Sequence, residues 1–66
     1  MTARINGEAR AVPDGSTISD LLENFGLPAK TVLVECNGEP VGRDHFGHQH
    51  IQQDDRIEII NMVAGG

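Results

Sequence analysis

Polar and apolar side chains alternate from Thr2 to Ile5, break at Asn6-Gly7, and alternate again from Glu8 to Val12. Two short period-2 runs joined by Asn-Gly predict an opening β-hairpin, because that dipeptide accepts the positive φ angles of a tight turn. Pro13-Asp14-Gly15-Ser16 is loop chemistry, and Thr17 followed three residues later by Asp20 forms a capping-box pattern that starts a helix. Ile18, Leu21, Leu22 and Phe25 then fall on one stripe at the 3.6-residue period, with Ser19, Asp20, Glu23 and Asn24 facing outward. Gly26 suits the left-handed position that ends a helix, and Pro28 blocks continuation.

The period returns to two over Thr31–Asn37, with Val32, Val34 and Cys36 on the core side of a strand and Leu33 and Glu35 on the other. Asn37-Gly38 marks a second turn. Pro40-Val41-Gly42 holds at most a short extended piece at a sheet edge, because proline cannot donate to a central ladder. Residues 43–50 show no clean period and predict an irregular connection with one helical turn near Phe46. Asp54-Asp55 begins a turn into the last strand, Arg56–Val63, in which Ile57 and Ile59 share one face while Glu58, Ile60 and Met62 share the other. The order of elements predicts an α+β fold, one helix covering one face of a mixed four- to five-stranded sheet whose last strand lies beside the first.

A length of 66 residues allows one domain, 1–66, ending in a flexible tail at 64–66, and excludes multidomain enzymes. Ten acidic and five basic residues give a formal charge of −5, which disfavours phosphate backbones and anionic membranes and favours a partner with a basic docking surface. With Phe25 and Phe46 the only aromatic residues, there is little on which nucleic-acid bases could stack. The lone Cys36, the absence of an apolar leader over Met1–Gly7 and the lack of any long apolar run lead to the expectation of a soluble, cytoplasmic protein.

Phosphate-binding loops, Cys-x-x-Cys, nucleophile elbows and His-Glu-x-x-His are all missing, so no catalytic residue of its own is expected. His45, His48 and His50 have metal-ligand character, but only Asp44 stands near enough in sequence to complete a site, which favours a solvated loop and no resident metal. Cys36, on the face of Val32 and Val34, reads as a small buried hydrophobe. The segment Ala64-Gly65-Gly66 is more informative. Two unbranched residues can thread a narrow channel, which makes the Gly66 carboxylate a candidate reactive group and Gly65 its steric requirement. A carboxylate resists nucleophiles until its oxygen becomes a good leaving group, so the implied chemistry is formation of an acyl-adenylate by a nucleotide-using partner.

Several stretches carry a resemblance to a known family. They are Ile5-Asn6-Gly7, Thr17-Ile18-Ser19-Asp20-Leu21-Leu22, Val34-Glu35-Cys36-Asn37-Gly38-Glu39-Pro40-Val41, and Asp55-Arg56-Ile57-Glu58-Ile59 running to Val63-Ala64-Gly65-Gly66. In them the chain resembles the ubiquitin-like β-grasp sulfur carriers, and most closely the ThiS family of thiamin biosynthesis. Phe46 stands where that family usually has tryptophan, after Arg43, and Gly42 replaces a frequent proline; these departures concern packing. The resemblance implies that an E1-like adenylyltransferase of the ThiF type, using ATP and magnesium, adenylates Gly66. It further implies sulfur transfer from a cysteine desulfurase to give a thiocarboxylate, and delivery to a thiazole synthase of the ThiG type. No cofactor is bound by the carrier itself. The strand pattern adds an apolar docking patch of Ile60 and Met62 beside Glu58, Val63 and Ala64, with Asp54, Asp55 and Glu58 steering the encounter. The other readings are a molybdopterin synthase small subunit, a ubiquitin-like protein modifier, and a metal chaperone using the three histidines.

Overall fold

A computed structural model describes residues 1–62. The expectations for Val63, Ala64, Gly65 and Gly66 therefore lie outside the described residues.

The opening hairpin forms as the alternation predicts, with β1 at Thr2–Ile5 and β2 at Glu8–Ala11 in antiparallel register, Ile5 opposite Glu8. Asn6 and Gly7 hold φ of 52° and 85°, the pair of positive values a two-residue turn requires. The alternation in β2 buries nothing, since all four of its residues are exposed and only Val12 beyond it reaches the core. Its position explains this: β2 is an edge strand of the sheet.

Helix α1 spans Ile18–Asn24 behind the expected capping box, in which Thr17 Oγ1 accepts from Asp20 N and Asp20 Oδ2 accepts from Thr17 N. The irregular segment that follows Gly42 meets the other free donors, because Ile18 N donates to Gln49 O and Ser19 N donates to Phe46 O. The helix ends in a Schellman motif. Gly26, at φ 69°, donates to Glu23 O, and Leu27 N donates to Leu22 O. Phe25, the last member of the stripe, is half-buried, and the Arg10 guanidinium lies 5.1 Å from its ring centre.

A 3-10 turn at Ala29–Thr31 leads into β3, Val32–Cys36, which pairs with the short edge strand β4, Glu39–Val41. A second 3-10 turn at Arg43–His45 follows, and Arg43 donates to the carbonyls of Ala29, Lys30 and Val32. The last strand, β5, runs Arg56–Asn61. The sheet order is β2-β1-β5-β3-β4, with β5 parallel to β1 and antiparallel to β3. The mixed sheet and its central last strand match the expected α+β arrangement.

The core lies between the helix residues Ile18, Leu21 and Leu22 and the inward row Ala3, Ile5, Val32, Val34, Ile57 and Ile59. Phe46 and Ile51 close one end, 2 % and 4 % exposed. Ile51 carries no periodic signal in the sequence. It is drawn in by the bond from its own N–H to Ser16 O, a contact across 35 residues that local pattern does not encode.

Both Asn-Gly turns also fasten β5. The Asn6 side chain accepts from Ile59 N at 2.7 Å, so strand order continues where β1 has stopped. Asn37 uses its Oδ1 to accept from Arg56 N at 2.9 Å and its Nδ2 to donate to Asp55 Oδ1 at 2.9 Å.

Candidate functional site

The strand period places Leu33, Ile60 and Met62 on the sheet face away from α1, at 49 %, 52 % and 43 % exposed. Leu33 and Ile60 are directly opposite each other across β3 and β5. Met62 lies just past the strand end, and its N–H donates to Thr31 O at 2.6 Å, extending the same pairing by one residue. The expected pair Ile60 and Met62 is thus brought together and enlarged by Leu33. The sequence placed Leu33 on this face but gave it no role, since only the β3–β5 register sets it beside Ile60.

Next along the same face, Glu35 stands directly opposite Glu58. Like charges in this cross-strand position oppose folding by a few tenths of a kcal/mol to about 1 kcal/mol. Among the described residues neither carboxylate has an ion-pair partner. Glu35 and Glu58 thus place two unpaired carboxylates side by side next to the Leu33–Ile60 pair.

Asp55 does not belong with the exposed acids. It is 8 % exposed and accepts from Asn37 Nδ2 and, through its second oxygen, from Gln52 N at 2.8 Å. Its carboxylate closes the turn into β5, so the expectation that it steers an encounter is corrected, while Asp54 and Glu58 remain exposed.

Cys36 is buried beside this turn, and Asn37 Nδ2 lies 3.7 Å from its Sγ. Burial, then the charge of Asp55 and a hydrogen bond with it, push the thiol above the ordinary cysteine range. The folded thiol therefore keeps its proton to higher pH than the unfolded one. The associated stability is complete below the unfolded pKa of about 8.5 and declines as pH rises past it. Denaturation midpoints measured from pH 7 to 10 should fall more steeply for the native chain than for Cys36→Ala. Equal slopes would show that the Cys36 thiol does not set this pH dependence.

The three histidines do not converge. His45 Nε2 is 3.9 Å from Asp44 Oδ2, His48 is exposed, and His50 bridges to Thr17 on the other side of the loop. Among the described residues no group of three or more potential ligands could hold a metal ion. No helix among them is long and apolar enough to cross a membrane.

A five-stranded mixed sheet over one helix, with its central last strand leading an apolar row toward a Gly-Gly segment, defines a β-grasp carrier of the ubiquitin-like class. The sequence pattern of the ThiS family matches residues 3–66, and the chain belongs to that family. It is 36 % identical over 64 residues to the sulfur carrier protein ThiS of Bacillus subtilis (strain 168), covering 96 % of this chain and 97 % of that protein. It is also 35 % identical over its full 66 residues to a thiazole synthase of Magnetococcus marinus, of which it spans 20 %. The crystal structure of a thiamine biosynthesis protein (ThiS) from Geobacter metallireducens superposes over all of both chains at a TM-score of 0.84 and 28 % identity.

Proposed function

We propose that the chain is a sulfur carrier of thiamin biosynthesis whose Gly66 carboxyl is the working group. The observation that supports this most directly is that the family similarity runs through residue 66, so Gly65 and Gly66 fall within it, directly after the apolar row of β5. The carrier supplies no catalytic side chain and binds no cofactor. An E1-like adenylyltransferase of the ThiF type holds ATP and magnesium, and the Gly66 carboxylate attacks the α-phosphorus to release pyrophosphate. Persulfide sulfur from a cysteine desulfurase then displaces AMP, and a thiol cleaves the resulting acyl disulfide to leave the thiocarboxylate. Gly65 and Gly66 pass the narrow entrance to the adenylating site because neither carries a side chain.

Leu33, Ile60 and Met62 form the centre of the docking face, with Glu35 and Glu58 at its rim; Val63 and Ala64 follow Met62 in the sequence. An apolar centre with a charged rim is the usual anatomy of a protein interface. The acceptor is a thiazole synthase of the ThiG type. Thiazole synthases that themselves contain a segment similar to this chain favour that acceptor over a molybdopterin precursor or a lysine.

Isotope exchange between pyrophosphate and ATP tests the activation step. The adenylyltransferase should catalyse it in the presence of the native chain, and a chain lacking Gly66 should leave only the background rate. Exchange supported equally by the truncated chain would place the reactive group elsewhere.

A further inference from the structure

The sheet face away from α1 is ordered in bands. Arg4 and Arg56 are register partners across β1 and β5, Glu35 and Glu58 follow across β3 and β5, and Leu33 and Ile60 come next. On the far side of Arg4, Ala9 and Ala11 of β2 stand opposite Arg4 and Thr2 and so share this face. All of these residues are exposed except Glu35, which is half-buried.

Both charged bands set like charges directly opposite each other, an arrangement that opposes folding. Among the described residues none of the four has an ion-pair partner. Arg4 donates to Gly7 O at 3.1 Å, a neutral acceptor that leaves its charge unanswered. Alanine is a poor strand residue, and on β2 it leaves a low shelf beside the arginines where the opposite end of the face carries large apolar side chains.

The basic and acidic bands have the same layout and opposite sign. Their centres lie one strand spacing and two residues apart, about 8 Å. A two-fold axis between two facing sheets, perpendicular to the line joining those centres, lays the carboxylates of each copy over the arginines of the other. The same rotation carries Ile60 onto Ala9 and Leu33 between Ala9 and Ala11, so bulk meets shelf. Strands of the two copies then cross at roughly 70°, close to the orthogonal class of sheet packing.

We infer that two copies of this chain associate through this face, Arg4 and Arg56 of each pairing with Glu35 and Glu58 of the other, and Leu33 and Ile60 of each covering Ala9 and Ala11 of the other. The contact is isologous and closes on itself, so it yields a dimer and no filament. A patch of this extent buries on the order of 1,000 Å² in total, at the low end for specific interfaces, which makes the dimer weak and reversible. It covers the face proposed to meet the adenylyltransferase, so only the monomer is free to dock there. The pairing itself does not rest on the sulfur-carrier reading.

Sedimentation equilibrium of the full chain at low salt, from micromolar to millimolar concentration, tests the association without any enzyme. A monomer–dimer equilibrium is expected, with a dissociation constant on the order of 0.1–1 mM. Arg4→Glu combined with Arg56→Glu makes both bands acidic, and because each substitution acts twice across the two-fold axis the dimer should weaken at least about tenfold. Adding Glu35→Arg and Glu58→Arg to that chain inverts both bands and returns the formal charge to its native −5, and the dimer should return with it. In a mixture of isotope-labelled and unlabelled native chains, NOEs are expected between the methyl groups of Ile60 in one copy and Ala9 in the other. A native chain that stays monomeric throughout, or a dimer indifferent to loss of the arginines, would overturn the inference. So would an inverted chain that melts as a folded protein yet associates no better than the acidic one, or intermolecular NOEs that join other surfaces. None of these outcomes bears on whether Gly66 is adenylated.

Discussion

Replacing Ile60 by aspartate is expected to lower kcat/KM for adenylation of the chain by about 30-fold or more while leaving the fold intact. The two halves of this expectation come from one number. Ile60 is 52 % exposed in the free chain, so a polar side chain there adds little cost to folding, within about 0.5 kcal/mol. The same side chain lies at the centre of the exposed apolar row, opposite Leu33 and two residues before Met62, the row proposed to dock the adenylyltransferase. Central apolar anchors typically carry 2 kcal/mol or more of binding, and about 1.4 kcal/mol is a factor of ten. Aspartate also adds a third carboxylate beside Glu35 and Glu58. Steady-state kinetics with the adenylyltransferase, together with a melting curve, measure both halves. Unchanged kcat/KM in a folded Ile60→Asp chain would show that the outer face is not where the activating enzyme docks.

Ile57→Ala should act the other way, through stability. Ile57 is fully buried on the central strand, with Ile5 beside it on β1 and Cys36 opposite it on β3. Truncating a buried isoleucine to alanine costs about 2–5 kcal/mol, from lost transfer energy and the cavity left behind. A domain of this length has roughly 3–10 kcal/mol in total. At about 4–8 °C per kcal/mol, the melting temperature should fall by about 10 °C or more, whereas Ile57→Val should lose only a small part of that. A drop of less than about 5 °C for the alanine variant, measured by calorimetry, would mean that this site collapses around the gap and is not the packing centre described above.

The features legible in the sequence are those fixed by neighbours along the chain. Asn6-Gly7 specifies its turn through two positive φ values, Thr17 and Asp20 cap a helix within one turn, and Gly26 ends it two residues past the last helical position. The exposed row of β5 follows from the period of two alone, because burying Ile57 and Ile59 forces Glu58 and Ile60 outward. What the sequence hid depends on partners far along the chain. Asp55 reads as one of two exposed turn acids, yet Asn37, 18 residues earlier, bonds it into the interior. The asparagines of both turns look finished by their turn role, and their side-chain bonds to Ile59 and Arg56 exist only once β5 lies between β1 and β3. The alternation of β2 predicts a buried face that its edge position denies. Leu33 joins the exposed apolar row through register with Ile60, and the same register sets Glu35 opposite Glu58.

Thiocarboxylate formation at Gly66 is read directly from the intact mass of the chain after incubation with the adenylyltransferase, ATP, magnesium, a cysteine desulfurase and cysteine. A chain lacking Gly66 serves as the control. The expected result is a gain of one sulfur-for-oxygen exchange, confined to the fragment that ends in Gly65-Gly66 and absent from the control. An unchanged mass with an adenylyltransferase proven active on another carrier, or the same gain in the truncated chain, would contradict it.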